Sequence, residues 1–177
     1  MPEGVELPEG EHGDNPFLVP VSVTISILAV LVAAVTLLGH RAHTEELLLQ
    51  SQATDQWAYY QAKNIRLHEM QFGADVFGTV ASQDKEKAAA FEEKYKKEAA
   101  RYEGDKDDIS EKAKELEKER DVVSRRADRF DGGEGLIEVG LVICSMTLLT
   151  RRRAYWIAGM LVGAGGVAFA LTAFLLH

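Results

Sequence analysis

The chain has 177 residues, enough for one ordinary domain, and a formal net charge of -8. Phosphate binding needs a basic surface, so this charge excludes an extended nucleic-acid interface and no nucleic-acid partner is expected. The one cysteine, Cys144, excludes an internal disulfide, and its apolar neighbours predict a small buried residue rather than a reactive thiol. A mean hydropathy of -0.12 conceals a strong contrast, because a polar middle lies between apolar ends.

The amino-terminal part of the chain divides at the first apolar run. Residues 1–16 combine three prolines with several glycines and acidic side chains, so a disordered acidic tail is predicted. Residues 17–39 are apolar apart from a few hydroxyl side chains and are long enough to cross about 30 Å of hydrocarbon as a first transmembrane helix. No basic segment precedes this run and no small-residue cleavage site follows it, which predicts an uncleaved anchor rather than a signal peptide.

The polar middle, residues 40–131, is rich in Glu, Lys, Gln and Ala and contains no proline. Two long helices folded back on each other are predicted here, as an antiparallel, coiled-coil-like hairpin outside the membrane, with its turn at residues 81–84. The first arm has an approximate apolar face: Leu47, Leu48, Leu49, Ala53, Trp57, Tyr60, Asn64 and Leu67. The second arm has a seam that alternates by four and three: Ile109, Ala113, Leu116, Arg120, Val123, Ala127 and Phe130.

Two further apolar runs follow the hairpin. The glycine-rich sequence from Asp131 to Gly135 is typical of a hinge, and residues 132–150 are predicted to form this hinge and a second transmembrane helix. A basic loop at 151–153 precedes a third transmembrane helix at 154–177. The predicted fold class is therefore all-α, with three transmembrane helices and a helical hairpin between the first and the second.

The basic loop also bears on orientation. Arg151, Arg152 and Arg153 in so short a loop favour the cytoplasmic side, which places the amino terminus inside and the hairpin outside. The arginines that flank the hairpin, and an amino-terminal tail without Lys or Arg, favour the opposite orientation. The short loop receives the greater weight, because long translocated segments follow the charge rule less closely.

Two features of the apolar runs are candidate functional elements. Gly159, Gly163 and Gly166 form a stripe of small residues that favours close helix packing, against the second predicted span in preference to a dimer. Glu138 is the one carboxylate inside an apolar run, which makes it a functional hypothesis by default. Its place in the first turn after the predicted hinge would let it reach the headgroup water.

Motifs for catalysis are missing from the sequence. It has no nucleophile elbow, phosphate-binding loop, Cys-x-x-Cys pair or dinucleotide fingerprint, so neither an enzyme activity nor a cofactor or small-molecule substrate is expected. His40, His43 and Glu46 share one helix face and could present a metal site. Histidines at this boundary more often lie where the membrane meets water, and no metal is predicted.

The polar middle contains one cluster of aromatic residues. Trp57, Tyr59 and Tyr60 lie within four positions, and Arg66 follows on the same predicted helix. Aromatic residues and Arg dominate interface hot spots, so these four are the candidate interaction residues for a protein partner or a homo-oligomer. Packing within the hairpin is the alternative interpretation.

The block from Asp55 to Lys63 (DQWAYYQAK), the amino-terminal anchor, the Lys- and Glu-rich helix and the basic-then-aromatic loop together resemble a bacterial membrane-protein family, domain of unknown function 4337. The resemblance covers nearly the whole chain and implies a multi-pass protein of the bacterial inner membrane, in contact with lipid. It implies no activity. The chain departs from the family in its arginine-free tail and in the two glycines within residues 72–79.

The predicted function is a membrane-anchored scaffold or accessory protein, whose hairpin docks a partner or associates with itself. The alternative is an oligomeric transport or ion-coupled element that uses Glu138 and the glycine-rich third span.

Overall fold

A computed structural model of the chain describes residues 16–79 and 85–176, and no strand occurs among them. The helices are α1 (Leu18–Thr79), α2 (Lys85–Thr150) and α3 (Arg153–Leu171), followed by a 3-10 helix (Thr172–Leu175). The all-α class is confirmed. The predicted turn at 81–84 and all of the predicted acidic tail except its last residue lie outside the described residues.

The first two helices are long, with 62 residues in α1 and 66 in α2. The sequence permits this length, because α1 contains one proline, Pro20, in its first turn, where the missing N–H costs little, and α2 contains none. All three helices are long and apolar enough to cross a membrane.

The described residues form two compact units. The apolar unit contains residues 16–39 and 128–175, and the polar unit contains residues 40–79 and 85–127 together with Leu176.

Apolar side chains at two-turn intervals form the interior of the apolar unit. Val21, Leu28 and Val35 are buried on α1, and Ile137 and Cys144 are buried on α2. Residues seven apart lie on the same side of an α-helix, so each helix presents a narrow stripe to its neighbours. On α3 the buried residues are small: Gly159, Gly163, Gly166 and Ala170.

The hinge predicted between Asp131 and Gly135 is wrong, because α2 continues through it as a regular helix. At Gly133 a Cβ would lie 2.6 Å from the Cβ of Ala170, far inside van der Waals contact. The glycine is therefore needed for the close approach of α3 rather than for a turn.

In the polar unit, residues of α1 meet residues of α2 in reverse order along the chain. Gln50 accepts a hydrogen bond from Arg120, Trp57 donates to Glu117, and Lys63 donates to Asp105. The seam predicted on α2 has four buried positions in this unit and two half-buried ones, Leu116 and Arg120. The buried positions are Ile109, Ala113, Val123 and Ala127.

The apolar face predicted on the first arm is only partly buried. Ala53 and Leu67 are buried, but Leu47 and Leu48 are 70% and 58% exposed. Leu47 lies six residues before Ala53, which places it about 120° away around the helix. A run of three leucines cannot all share one helix face, and Leu49 is the one that lies half-buried.

The two kinds of glycine in α2 give a direct test of the packing. A Cβ added at Gly135 would meet no neighbouring side chain or helix within 4 Å, whereas one added at Gly133 would meet Ala170. We expect Gly135→Ala to stabilise the protein by about 0.5–1 kcal/mol, because glycine disfavours helix. Gly133→Ala should destabilise it by about 1–3 kcal/mol through overpacking. Thermal unfolding in detergent measures both, and equal shifts for the two variants would contradict the assignment.

Candidate interaction site

Two of the candidate interaction residues, Trp57 and Tyr60, make contacts between α1 and α2. Trp57 and Tyr60 are half-buried, and their rings meet edge to face with centroids 5.5 Å apart at 77°. The indole Nε1 of Trp57 donates a hydrogen bond of 2.8 Å to Oε1 of Glu117 on α2. Both aromatic side chains therefore help to hold α1 against α2.

A charged cluster lies one to two turns further along α1. Nζ of Lys63 donates a hydrogen bond of 2.7 Å to Oδ2 of Asp105 and lies 5.4 and 5.1 Å from the ring centroids of Tyr59 and Tyr102. The hydrogen bond raises the pKa of Lys63 and lowers the pKa of Asp105. The Lys63 side chain is only 12% exposed, so its charge is matched by a carboxylate and two aromatic faces.

Lys106 is the hydrogen-bond partner of Asn64, a polar residue on the buried side of α1. Its Nζ lies 5.5 Å from the ring centroid of Tyr60 and 3.4 Å from Oδ1 of Asn64. Asn64, which interrupts the apolar face in the sequence, is thus half-buried with a hydrogen-bond partner.

The other two candidate residues, Tyr59 and Arg66, are exposed, with Tyr59 49% exposed. Sequence reasoning missed a further set of exposed apolar side chains on the same part of α1, which we call the outer face. Its members, with their exposed fractions, are Leu47 (70%), Ile65 (59%), Phe72 (71%) and Val76 (37%).

The geometry of the outer face follows from the helix repeat. Ile65 and Phe72 each lie two residues before a buried residue, Leu67 and Ala74 respectively. Two residues correspond to about 200° of helix rotation, so the outer face points away from α2. The signal in the sequence was the seven-residue spacing of Ile65 and Phe72.

The apolar unit contains a second candidate element, the glycine contact between α2 and α3. At Gly140 a Cβ would lie 2.7 Å from O of Gly159 and from N of Gly163. At Gly166 it would lie 2.7 Å from O of Gly133. The backbones of the two helices are therefore in direct contact, in the manner of small-residue packing in membranes.

The basic loop is a tight turn. Arg151 has a left-handed φ of 54°, and its N–H donates to O of Thr147 at 2.8 Å, which closes the end of α2. Arg152 is extended, and Arg153 begins α3 with its guanidinium 5.1 Å from the ring centroid of Phe17. All three arginines are exposed.

The histidines and carboxylates do not assemble a metal site in the part of the chain that the structure describes, where no group of three or more metal-binding side chains occurs. Nδ1 of His43 lies 3.4 Å from Oε2 of Glu46, and His40 does not join this pair. Three surface depressions are each lined by residues of a single helix.

Comparison with protein families gives one result. Residues 17–176 match the family described as Domain of unknown function (DUF4337). The chain belongs to this family. The resemblance inferred from the block between Asp55 and Lys63 is therefore confirmed. No curated protein and no solved structure matches the chain.

The Lys63–Asp105 pair predicts how stability depends on pH. The folded pKa of Asp105 is lowered, so its contribution is present above the unfolded pKa and is lost as the pH falls through the folded value. The folded pKa of Lys63 is raised, so its contribution is lost only as the pH rises above about 10.4.

We therefore expect the difference in unfolding temperature between the wild type and Asp105→Asn to be constant between about pH 5 and pH 10 and to shrink below about pH 4. Unfolding followed by circular dichroism measures it. The matched control is Asp107→Asn, which removes an exposed carboxylate two residues away. A difference that stays unchanged as the pH falls from about 5 to about 2 would contradict the role of this pair.

Proposed function

We propose that the three helices of the apolar unit cross a membrane and that the polar unit is an antiparallel helical hairpin outside it. Two observations support this arrangement. The helices of the apolar unit are long and apolar enough to span a bilayer. The contacts between α1 and α2 in the polar unit pair residues in reverse order, and they include hydrogen bonds between polar and charged side chains.

The function we propose is that of a membrane-anchored scaffold or accessory protein with no catalytic activity. The observation that carries it is the outer face of α1. Leu47, Ile65 and Phe72 expose 59–71% of their surface on a helix that lies otherwise in water in this arrangement. Ile65, Phe72 and Val76, three exposed apolar side chains on one helix face, form the type of surface that binds another helix. Tyr59 and Arg66 are also exposed, about a third of a turn around the helix from this face, and are residue types common at interfaces.

The experiment replaces the centre of the outer face. We expect Ile65→Glu with Phe72→Glu to lower about tenfold the amount of protein that co-purifies with a tagged copy of the chain. Each introduced charge would have to be desolvated in the complex. Two differently tagged copies expressed together separate self-association from binding of another protein, since the second tag is recovered only in the first case.

The matched control for this experiment is Gln52→Glu with Gln71→Glu, which adds the same charges at exposed positions of the same helix about 120–140° around from the outer face. Circular dichroism verifies that both double variants stay helical. If the outer-face variant retains its partners and its oligomer size while remaining helical, the proposed docking function is wrong.

The orientation we propose places the amino terminus in the cytoplasm and the polar unit outside, at the inner membrane of a bacterial cell. The three exposed arginines between α2 and α3 support it, since short basic loops stay in the cytoplasm.

Single cysteines introduced into a Cys144→Ala background test this orientation. Lys94→Cys, at an exposed position of α2, should react with a membrane-impermeant maleimide added to cells with a permeabilised outer barrier. Glu3→Cys should react only after lysis. The reverse labelling pattern would invert the orientation.

A second candidate function is an oligomeric ion-coupled or transport element, and one observation favours it. Glu138 is a carboxylate exposed on the surface of the apolar unit. The glycine contact leaves no space between α2 and α3, so a path would have to form between copies of the chain.

A further inference from the structure

The exposed side of α1 carries a heptad repeat of its own. Between positions 58 and 76, six exposed residues alternate by four and three, the spacing of the a and d positions that face a partner helix in a coiled coil. We call these residues the outer seam: Ala58, Ala62, Ile65, Glu69, Phe72 and Val76. The buried residues Leu67 and Ala74 lie on the opposite side of the helix, so α2 leaves the outer seam uncovered.

Glu69 is the one charged member of the outer seam, and it lies between Ile65 and Phe72 at an a position. Its carboxylate has no hydrogen-bond or ion-pair partner among residues 16–79 and 85–176, and Arg66, three residues before it, does not pair with it. Covering a carboxylate without a partner is costly. A helix that packs along the outer seam therefore has to place a cation opposite Glu69.

The other charges of this segment favour the same kind of partner. Between residues 51 and 79 the exposed charged side chains are three carboxylates, Asp55, Glu69 and Asp75, and one cation, Arg66. The remaining cation, Lys63, is held by Asp105. The exposed surface of the segment has an excess of negative charge, and positively charged side chains complement it.

A second copy of the chain does not match this pattern. In the membrane arrangement proposed above, all copies leave the bilayer in the same direction, so two copies would meet as parallel helices. In a parallel pair the a positions face each other, and an interface between two copies uses the same surface twice. The two Glu69 carboxylates would then lie opposite each other, and like charges in this position disfavour the pair.

We propose that the outer seam docks an amphipathic helix of a different protein, which presents an apolar seam to residues 58–76 and a lysine or arginine to Glu69. The proposal rests on the docking function proposed above and specifies the chemistry of the partner. The apolar residues supply the buried surface. Glu69 selects the partner and its register, as a single polar residue at an a position does in coiled coils.

Three synthetic helical peptides test this selection. Each carries leucine at every a and d position except the central a position, which is lysine, glutamate or leucine. The labelled peptides are kept at a concentration at which ultracentrifugation shows a monomer, and fluorescence anisotropy follows their binding to the purified full chain in detergent. We expect the lysine peptide to bind about ten times more tightly than the glutamate peptide.

Variants of the chain show whether Glu69 causes this preference. Glu69→Gln should lower the ratio of the two affinities, and Glu69→Lys should invert it. The matched control, Glu93→Lys, makes the same change of charge at an exposed position of α2 and should leave the ratio unchanged. Circular dichroism verifies that every variant stays helical. A preference that survives in Glu69→Lys, or that Glu93→Lys also removes, overturns the proposal, because general attraction to an acidic protein would account for it.

The remaining outcomes separate this proposal from the docking function. Equal binding of the lysine and glutamate peptides that is lost in Ile65→Glu with Phe72→Glu overturns the basic partner and leaves the docking function standing. Binding that this double variant does not lower removes both. Binding of no peptide overturns the basic partner, and the co-purification experiment above then decides the docking function. If two differently tagged copies co-purify and do so more strongly in Glu69→Leu, the occupant is a second copy and the proposal is wrong.

Discussion

The apolar unit depends on the direct contact between the backbones of α2 and α3. Gly140 on α2 and Gly159 and Gly163 on α3 approach so closely that a carbon added at Gly140 or Gly159 would lie 2.6–2.7 Å from a backbone atom of the opposite helix. Such a contact tolerates no sliding, because a shift by one residue would bring side chains into the same space. It therefore fixes the register of α2 against α3.

The polar unit is held together differently. Its buried residues are mainly alanines, so α1 and α2 can lie close together but bury little apolar surface. Specific polar contacts supplement this thin interior. The indole of Trp57 reaches Glu117, and Lys63 is enclosed by Asp105 and two tyrosine rings. These contacts specify the register of the two helices. Alanines alone specify it poorly, because identical small side chains can pack equally well in several registers.

The candidate sites follow from the division of each helix into a packed side and exposed sides. Where one side of a helix packs against its neighbour, the side chains on its other sides are left on the surface. Ile65 and Phe72 are left exposed on α1 because Leu67 and Ala74, two residues further on, occupy the interior. In the apolar unit Glu138 is left on the surface because its neighbours Ile137 and Gly140 are the residues that pack. Both features follow from the helix repeat of 3.6 residues, because a residue one or two positions from a buried residue lies on a different side of the helix.

The sequence by itself determined the helical class, the three apolar spans, the seam from Ile109 to Ala127 and the family, since each depends on local composition or on a regular repeat. It did not determine the role of the glycines between residues 132 and 135, because a glycine that allows a turn and one that allows close packing are identical in sequence. Only the tertiary structure, by placing Ala170 against Gly133, decided for packing. It also decided that Glu138 lies well inside a helix rather than in the first turn of one, because α2 continues unbroken from Lys85 to Thr150.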